Sequence, residues 1–350
     1  MRVAIDATPL TLSSGGLRRY VEELSTALAE NFPRDEFFLV SDQPFHMPHS
    51  APPNLRRGGG PRNSVERRWW IWGLDRELQR LDASVFHGSD FAVPYVPRRP
   101  SVLTLHDLSP WMDAAWHSDA ERVRRRTPLL IGLGLATMIL TPSEAVRKQA
   151  IERFRIHPGR ICAVPHAASV SFRPRAAMPG PPYFLYAGTL EPRKNIPDLI
   201  AAWREVHRAY PIDLVLAGRR RSDFAQLSPE PGLQIMGEVS DDRLAELFSG
   251  SRAFVYPSWY EGFGLPVLEA MQSGACVITS RDPAITEVAG GAAILAGTQT
   301  ELVRAMFQIA AHPESAALWR ERGLRRAAEF SWSRSARLTY EVYEEAQRRF

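Results

Sequence analysis

The 350-residue sequence has little cysteine, little lysine and no apolar run of membrane-spanning length. Cys162 and Cys276 each lie in an apolar stretch and are too few for a disulfide framework, so we expect two reduced core thiols in a cytosolic protein. The longest nearly uncharged apolar run, residues 128–140, falls short of the about 20 residues that cross a bilayer and is predicted to be a buried element. The N-terminus lacks the pattern of a signal peptide.

The scarcity of lysine gives each lysine weight. Lys148 and Lys194 are the only lysines, and arginine is the usual basic residue elsewhere, so each lysine indicates a local requirement for that side chain. Hydrophobic residues make up 45% and charged residues 23% of the chain, as in ordinary globular proteins. The net charge of +4 is compatible with an anionic membrane surface, with nucleotides or with neither. The length predicts two domains.

Short apolar runs alternate with helical patterns along both halves of the chain. This alternation predicts an α/β fold with two parallel sheets, whose ligands bind beyond the carboxyl ends of the strands. Polar or glycine residues end many of the runs and would collect along one edge of each sheet: Asp6, Asp90, His106, Asp107, Ser143, His166, Gly188 and Gly218. Two such edges facing one another would form a cleft between the domains.

The proline-rich and glycine-containing segment 173–182 is predicted to be the connector between the domains. It separates a first domain, residues 1–172, from a second, residues 183–330. Residues 331–350 have apolar positions at helical spacing and are predicted to form an amphipathic helix that docks on the rest of the chain.

The stretch WYEGFGLPVLEA places two glutamates around a glycine turn. Gly262 and Gly264 let backbone N–H groups approach a ligand closely, and a helix that begins near Leu265 adds partial positive charge, so this turn is a candidate phosphate site. Glu269, about one turn inside the helix, could bind a ribose diol, and Glu261 the sugar beyond the phosphates. The alternative is that these acids only complement the helix dipole.

A second candidate site is AGTLEPRKN, which follows the first strand of the second domain and begins with Ala187 and Gly188. Arg193 can bind a diphosphate through a bidentate fork, and Lys194 can act as a mobile point charge. The alternative is a solvated basic pair before a helix. That alternative is less favoured because this strand end should share one sheet edge with the turn of Glu261, Gly262, Phe263 and Gly264, which we call the glutamate turn.

These motifs resemble those of retaining glycosyltransferases with GT-B architecture, in the large GT4-type (glycosyl transferases group 1) family that includes bacterial mannosyltransferases. The resemblance covers almost all of the second domain, through GTLEPRKN, GEVSDDRLAELFSGSRAFVYPSWYEGFGLPVLEAM, TSRDPAITEVAG and FSWSRSA. It is looser in the first domain, through GGLRRYVEEL, VFHG, LTLHDL, TPSEAVRK and VPH. It implies two Rossmann-like domains facing each other across a cleft, with the first binding the acceptor and the second the nucleotide sugar.

The resemblance also implies roles for individual residues. Arg193 and Lys194 would bind the donor diphosphate, and Glu269 the nucleotide ribose. Glu261, with the amides of Gly262, Phe263, Gly264 and Leu265, would contact the donor sugar and phosphate. Gly15 and Gly16 would border the diphosphate, His106 and Asp107 would face the transferred sugar, and the terminal helix would cross back onto the first domain.

Several features leave alternatives open. His106 could be a structural hydrogen-bonding residue rather than a catalytic one. The segment His166-Ala167-Ala168-Ser169 lacks the glycine and aspartate that relatives commonly have there, which puts a nucleotide-side or hinge contact in doubt. Trp69, Trp70 and Trp72 could belong to the core, to an acceptor groove or to a membrane contact.

The expected function is retaining transfer of a hexosyl group from a nucleoside diphosphate sugar, with GDP-mannose implied by family membership only. The acceptor would be a saccharide or lipid-linked saccharide in cell-surface polysaccharide synthesis. We expect no metal, because an aspartate pair of the D-x-D type is absent, and no dinucleotide, because a G-x-G-x-x-G motif is absent. No other cofactor and no nucleic-acid partner are expected. The alternatives are a non-catalytic nucleotide-sugar-binding subunit and a GT-B sugar-nucleotide epimerase.

Overall fold

Each predicted apolar run forms a strand, and the strands pair in parallel. The computed structural model describes residues 1–12, 14–117, 120–176 and 180–350. Two compact units divide them, one of Met1–His166 with Ser331–Phe350 and one of Ala167–Phe330. Within the described residues every strand pairing is parallel, so the predicted α/β fold class is confirmed.

The first unit contains a sheet with strand order β3-β2-β1-β4-β5-β6-β7, and the second a sheet with order β10-β9-β8-β11-β12-β13. The strands of the first sheet are β1 Arg2–Asp6, β2 Glu36–Val40, β3 Leu55–Arg57, β4 Val85–Gly88, β5 Ser101–Thr104, β6 Met138–Thr141 and β7 Ile161–Ala163. Those of the second are β8 Tyr183–Ala187, β9 Asp213–Ala217, β10 Leu233–Gly237, β11 Ala253–Tyr256, β12 Val277–Thr279 and β13 Ile294–Leu295.

Helices follow most of the strands and cover the sheets. In chain order they are α1 Gly16–Asn31, α2 Leu74–Arg80, α3 Ser109–Met112, α4 Glu121–Gly132, α5 Glu144–Phe154, α6 Ile196–Ala209, α7 Asp241–Gly250, α8 Leu265–Gln272, α9 Pro283–Ala289, α10 Gln299–Ala311, α11 Ala316–Ala327 and α12 Trp332–Arg349. Central strands are buried along almost their whole length, as expected for parallel sheets covered on both faces. No helix in the described ranges is both long enough and apolar enough to cross a membrane.

Strand β3 is the element that the apolar pattern did not predict. It has three residues, of which only Leu55 is buried, while Arg56 and Arg57 are exposed. It pairs with β2 at the edge of the sheet. An edge strand buries little side-chain surface and is held mainly by backbone hydrogen bonds, so its sequence carries no apolar signal.

The terminal helix α12 belongs to the first unit and packs along α1. Its N-terminus is capped by the Ser331 side chain, which accepts a hydrogen bond from the backbone N–H of Arg334. Tyr343 is fully buried, and its hydroxyl lies 2.7 Å from Nδ1 of His87 in β4. Tyr340 stacks on Phe32 with the ring planes 10° apart. Aromatic contacts and polar contacts, among them the buried one between Tyr343 and His87, therefore hold this helix.

The two units divide between His166 and Ala167, ahead of the predicted connector at residues 173–182. The side-chain amide of Gln272 donates hydrogen bonds of 2.7 Å to the carbonyls of Ser169 and Phe172, and the Phe172 ring is fully buried. These contacts tie residues 169–172 to the second unit. Residues 173–176 and 180–182 contain no helix or strand, and residues 177–179 of the predicted connector lie outside the described residues.

Two burial predictions need correction. The run at residues 128–140 is split, since α4 ends at Gly132 and β6 begins at Met138. Leu129 and Leu133 are 62% and 71% exposed, because the end of α4 and the turn after it present them to solvent. Cys276 is fully buried, but Cys162 is only half-buried, because it lies on the edge strand β7.

The three tryptophans of the segment 69–72 have different environments. Trp69 lies in a π-helical turn, Trp69–Gly73, and is buried against Leu74, Leu78 and Phe86. Trp70 packs partly buried on the same core, whereas Trp72 is 42% exposed. The core interpretation therefore holds for Trp69, and Trp72 is the exposed member of the segment.

Candidate active site

The glutamate turn lies where β11 ends and α8 begins, at the carboxyl edge of the second sheet. Helix α8 begins at Leu265, as predicted, with Pro266 in its first turn. Gly264 precedes it with φ of +91°, a left-handed conformation that favours glycine. Glu261, Gly262 and Phe263 are all buried, so the turn is held rigidly against the unit.

Arg193 and Lys194 lie in a single 3₁₀ turn, Pro192–Lys194, that follows β8 and contact the glutamate turn directly. Nη1 of Arg193 donates to Oε2 of Glu261 at 3.0 Å and to the carbonyl of Tyr260 at 2.9 Å. Nζ of Lys194 donates to Oε1 of Glu261. We call Arg193, Lys194 and Glu261 the cationic cluster. The structure thus brings together residues that the sequence analysis assigned to one site.

Further hydrogen bonds fix the cationic cluster in place. The hydroxyl of Tyr256, at the end of β11, accepts from Nζ of Lys194 at 2.7 Å and donates to Oε1 of Glu261 at 2.9 Å. The backbone N–H of Trp259 donates to the carbonyl of Arg193 at 2.9 Å. The loops after β8 and β11 are therefore joined by backbone and side-chain contacts, which preorganises the charges.

Burial and charge act against each other in the cationic cluster. Burial raises the pKa of Glu261, but the positive charges of Arg193 and Lys194 and their hydrogen bonds outweigh it and lower the pKa to about 2. Burial and the nearby Arg193 guanidinium lower the pKa of Lys194, while Glu261 favours its charged form. A carboxyl with a pKa near 2 carries no proton at neutral pH, so Glu261 holds the cations and does not donate a proton.

Glu191, Arg221 and Tyr256 join this group, and the sequence analysis did not assign them to it. Oε1 of Glu191 lies 2.8 Å from Nε of Arg193, and its Oε2 accepts from Nη1 of Arg221 at 2.8 Å. Glu191 is within the motif GTLEPRKN, so its position beside the basic pair was a usable signal. Arg221 follows β9, and nothing local in the sequence marks it.

The other predicted donor-binding residues of the second unit lie on the same edge. Glu269 is 2% exposed and lies one helical turn after Leu265 in α8. The Phe263 ring packs edge-to-face on Phe330, with centroids 5.9 Å apart. Gly188 follows β8 with φ of +142°, and a Cβ on neighbouring Gly218 would lie 2.0 Å from the Gly188 carbonyl oxygen. The backbones at these two strand ends are therefore in close contact.

Gly15 and Gly16 lie where the loop after β1 meets α1. Gly15 precedes α1 with φ of +113°, and Gly16 is the first residue of that helix. The carbonyl of Gly15 accepts a hydrogen bond of 3.1 Å from the N–H of Arg19. Glycine is required at residue 15 by this backbone conformation.

His106 and Asp107 follow β5 at the carboxyl edge of the first sheet and are half-buried. Nε2 of His106 lies 2.7 Å from the carbonyl of Ser89, and burial lowers the pKa of this histidine. Oδ1 of Asp107 accepts from the backbone N–H of Ser109 at 2.9 Å and from its hydroxyl at 2.6 Å. Tyr20 packs edge-to-face on His106 at 4.8 Å. The imidazole is thus oriented and neutral at pH 7.

Two carboxyls that end neighbouring strands lie near His106 and Asp107. Burial raises the pKa of Asp6, the last residue of β1, to about 6 and that of Asp90, after β4, to about 7. Asp6 and Asp107 both raise the pKa of Asp90 further through their charges, whereas Arg126 lowers it. The first sheet's edge therefore carries ionisable groups that burial pushes toward their neutral forms.

Two units, each built on a parallel sheet with helices on its faces, form the GT-B architecture of glycosyltransferases. A sucrose-phosphate synthase from Thermosynechococcus elongatus shares this fold with a TM-score of 0.77, over 98% of each chain and at 20% sequence identity. At that identity the likeness concerns the fold. The predicted GT-B architecture is confirmed.

Sequence comparisons assign the family. Residues 171–326 match the family "Glycosyl transferases group 1", and residues 14–172 match "Glycosyltransferase Family 4". The chain is 34% identical over 287 residues to the O-antigen chain mannosyltransferase B of Escherichia coli, covering 74% of each chain. The chain therefore belongs to this GT4-type family and is a glycosyltransferase.

A second relative is the MMP alpha-(1->4)-mannosyltransferase of Mycolicibacterium hassiacum. The identity is 29% over 247 residues, which is 66% of this chain and 58% of the relative. The chain thus spans under two thirds of the length of that relative.

Proposed function

We propose that the protein is a retaining, metal-independent hexosyltransferase that uses a nucleoside diphosphate sugar as donor. The observation that carries this proposal is the cationic cluster, buried at the strand ends of the second unit. Its two cations and one carboxylate leave a net charge of +1, and Glu191 with Arg221 adds a balanced pair. Such a preorganised positive site suits a departing diphosphate.

The chemical barrier lies in breaking the bond between the sugar and the diphosphate. Negative charge develops on the leaving phosphate, and fixed positive groups in a partly dry site stabilise it without reorganising. Arg193 supplies a planar fork and Lys194 a compact charge, so together they perform the role that a metal ion has in other transferases. Glu261 keeps both cations in place and orients them toward the donor.

For the transfer step we favour attack on the leaving-group side of the sugar. The acceptor hydroxyl bonds to the anomeric carbon as the bond from that carbon to the phosphate oxygen breaks. The released phosphate oxygen takes the hydroxyl proton, which gives a glycoside with retained configuration and a nucleoside diphosphate. Glu261 is ionised and bound by two cations, which does not favour it as a nucleophile.

Relatives support the identity of donor and acceptor. The names of the E. coli and Mycolicibacterium proteins describe mannosyltransferases, and the first concerns an O-antigen chain. We therefore propose a mannosyl group from GDP-mannose and a saccharide or lipid-linked saccharide acceptor in cell-surface polysaccharide synthesis. Peripheral contact with a membrane, through the side that exposes Trp72, belongs to the same proposal. Liposome co-sedimentation that does not change in Trp72→Ala would contradict this contact.

Product analysis tests the proposal. The protein is incubated with a panel of nucleotide sugars, with and without a lipid-linked saccharide, and the products are analysed by mass spectrometry and by NMR of the anomeric proton. Acceptor-dependent mannosylation with retained configuration, unchanged by EDTA, is expected. An altered nucleotide sugar without acceptor would indicate an epimerase, and donor binding without any product would indicate a binding subunit.

A further inference from the structure

A cavity of 310 Å³ lies in the second unit, where β11, β12 and β13 end, and Trp259 is one of the residues that line it. The starts of α6 and α10 form its other walls. We call it the Trp259 cavity. Its size falls at the lower end of the roughly 300–1,000 Å³ of small-molecule sites. It is distinct from the cationic cluster, because Arg193, Lys194 and Glu261 are not among the residues that line it.

Trp259 is an exposed aromatic residue on a rigid loop. Its side chain is 55% exposed, whereas the flanking Ser258 and Tyr260 are buried. Its backbone N–H is bonded to the carbonyl of Arg193, so the position of the residue is fixed. An exposed indole with a fixed backbone offers a flat apolar face at little entropic cost, and the C–H face of a pyranose ring can stack on such a surface.

Polar groups in the cavity can meet the hydroxyls at the edge of such a ring. The Gln299 side chain donates from Nε2 to the carbonyl of Asp198 at 3.0 Å, while its Oε1 is buried and has no hydrogen-bond donor among the described residues. A buried carbonyl without a donor is unfavourable, and a sugar hydroxyl would supply one. Asp198 and Asp282 are acidic residues that also line the cavity.

The charges of the cavity argue against a phosphate or nucleotide as its ligand. The N-terminus of α9 is capped by Asp282, whose Oδ1 accepts from the N–H groups of Ala284 and Ile285. At the start of α10, Glu301 accepts from the N–H of Gly297 and pairs with Arg281 at 3.2 Å. Carboxylates therefore already occupy the places where an anion would bind. A neutral polyhydroxy compound fits, and an anion does not.

We propose that the Trp259 cavity binds a neutral hexose unit of the acceptor glycan, at a distance from the hydroxyl that reacts. The proposal rests on the proposed transfer to a saccharide acceptor. Trp259 stands two residues before Glu261, so a glycan chain held here would lie on the same unit and next to the donor-sugar side of the glutamate turn. Longer acceptors would then bind better than short ones.

The first test is the dependence of KM on acceptor length. Synthetic α-mannosides of one, three and five units are assayed with the wild type, Trp259→Ala, Trp259→Phe and Gln299→Leu, with Phe350→Ala as a control that removes an exposed aromatic ring from the other unit. Trp259→Ala should raise KM about tenfold for the five-unit acceptor and hardly at all for the single unit, with kcat unchanged. Gln299→Leu should act in the same direction, and Trp259→Phe should restore most of the affinity. Equal KM changes at all lengths, or none, would overturn the proposal.

The second test is binding without transfer. Saturation-transfer NMR with the five-unit mannoside, in the absence of donor, should show contact with the wild type and with Phe350→Ala, and loss of contact with Trp259→Ala. If no nucleotide sugar supports transfer but this Trp259-dependent binding persists, the proposed function fails and the saccharide site stands. If transfer occurs but binding does not depend on Trp259, the site fails and the function stands.

Discussion

In the first unit, the strand ends carry Asp6, Asp90 and His106, and burial shifts the pKa of each toward its neutral form. In the second unit, Glu261 is 7% exposed, yet its pKa falls to about 2 because Arg193 and Lys194 contact it. Desolvation has the same sign at both edges, so it is the nearby opposite charge that decides which form is stable. At the first sheet's edge burial favours the uncharged forms of these groups, whereas at the second sheet's edge ion pairing keeps the charges fixed.

This difference corresponds to two kinds of ligand group that a glycosyltransferase binds, a diphosphate and sugar hydroxyls. Fixed cations suit the diphosphate of a donor, whereas neutral hydrogen-bonding groups suit sugar hydroxyls. Two kinds of substitution test this difference: removal of a charge at the edge of the second sheet, and removal of a buried carboxyl at the edge of the first.

The largest effect is expected when a cation is removed from the cationic cluster. Lys194→Ala should lower kcat about 10²–10³-fold, because one of two groups that stabilise the leaving phosphate is lost. Lys148→Ala, which removes the exposed lysine on α5, is the matched control and should leave kcat unchanged. Circular dichroism checks that both variants fold, and a kcat for Lys194→Ala within threefold of the wild type would refute the assignment.

The second effect concerns the strand ends that carry the cationic cluster. Gly218→Ala places a methyl group 2.0 Å from the Gly188 carbonyl oxygen at φ of +137°, and should lower the free energy of unfolding by about 3 kcal/mol. Gly237→Ala has φ of +67° and no atom within 4 Å of the new Cβ, so it should cost only about 1 kcal/mol. Urea unfolding measures both. Equal losses in the two variants would show that the close backbone contact is unimportant.

The third effect is the pH dependence that Asp6 confers on the first unit. Its folded pKa of about 6 lies above its unfolded value, so its contribution to stability is greatest at low pH and declines as pH rises from about 4 to 6. Asp6→Asn should therefore stabilise the protein by about 1–3 kcal/mol at pH 8 and hardly at all at pH 4. Asp82→Asn, at a side chain that is 90% exposed, serves as the control.

Urea unfolding at several pH values gives the difference between Asp6→Asn and the wild type. A difference that stays constant from pH 4 to pH 8 would contradict the raised pKa of Asp6.

The smallest effect concerns the terminal helix. Tyr343→Phe removes the hydroxyl that lies 2.7 Å from Nδ1 of His87 and should cost about 1 kcal/mol, since the buried imidazole loses a hydrogen-bonding partner. Thermal unfolding measures this loss. An unchanged melting temperature would show that the aromatic packing of α12 suffices.

Much of the fold could be predicted because its signals are local. Apolar runs followed by polar or glycine residues identified the buried strands, and Pro266 after a glycine turn located the start of α8. Strand β3 was not predicted, because an edge strand does not need an apolar pattern. Leu129 and Leu133 were predicted to be buried because hydrophobicity alone does not tell which face of a helix points to solvent.

The candidate site could be predicted in part. The motifs named Arg193, Lys194 and Glu261, and the order of parallel strands placed them on one edge. The participation of Arg221 could not be predicted, because it reaches Glu191 from a different strand end and 30 positions along the chain.

The sequence by itself determined where the apolar strands lie and which side chains follow or end them, because these depend on neighbouring residues in the chain. Only the tertiary structure decided that Glu261 meets Arg193 and Lys194, which are 68 and 67 positions away, and hence that its pKa falls to about 2 while that of Asp6 rises to about 6. The physical reason is that a buried group's protonation depends on the charges within a few ångströms of it.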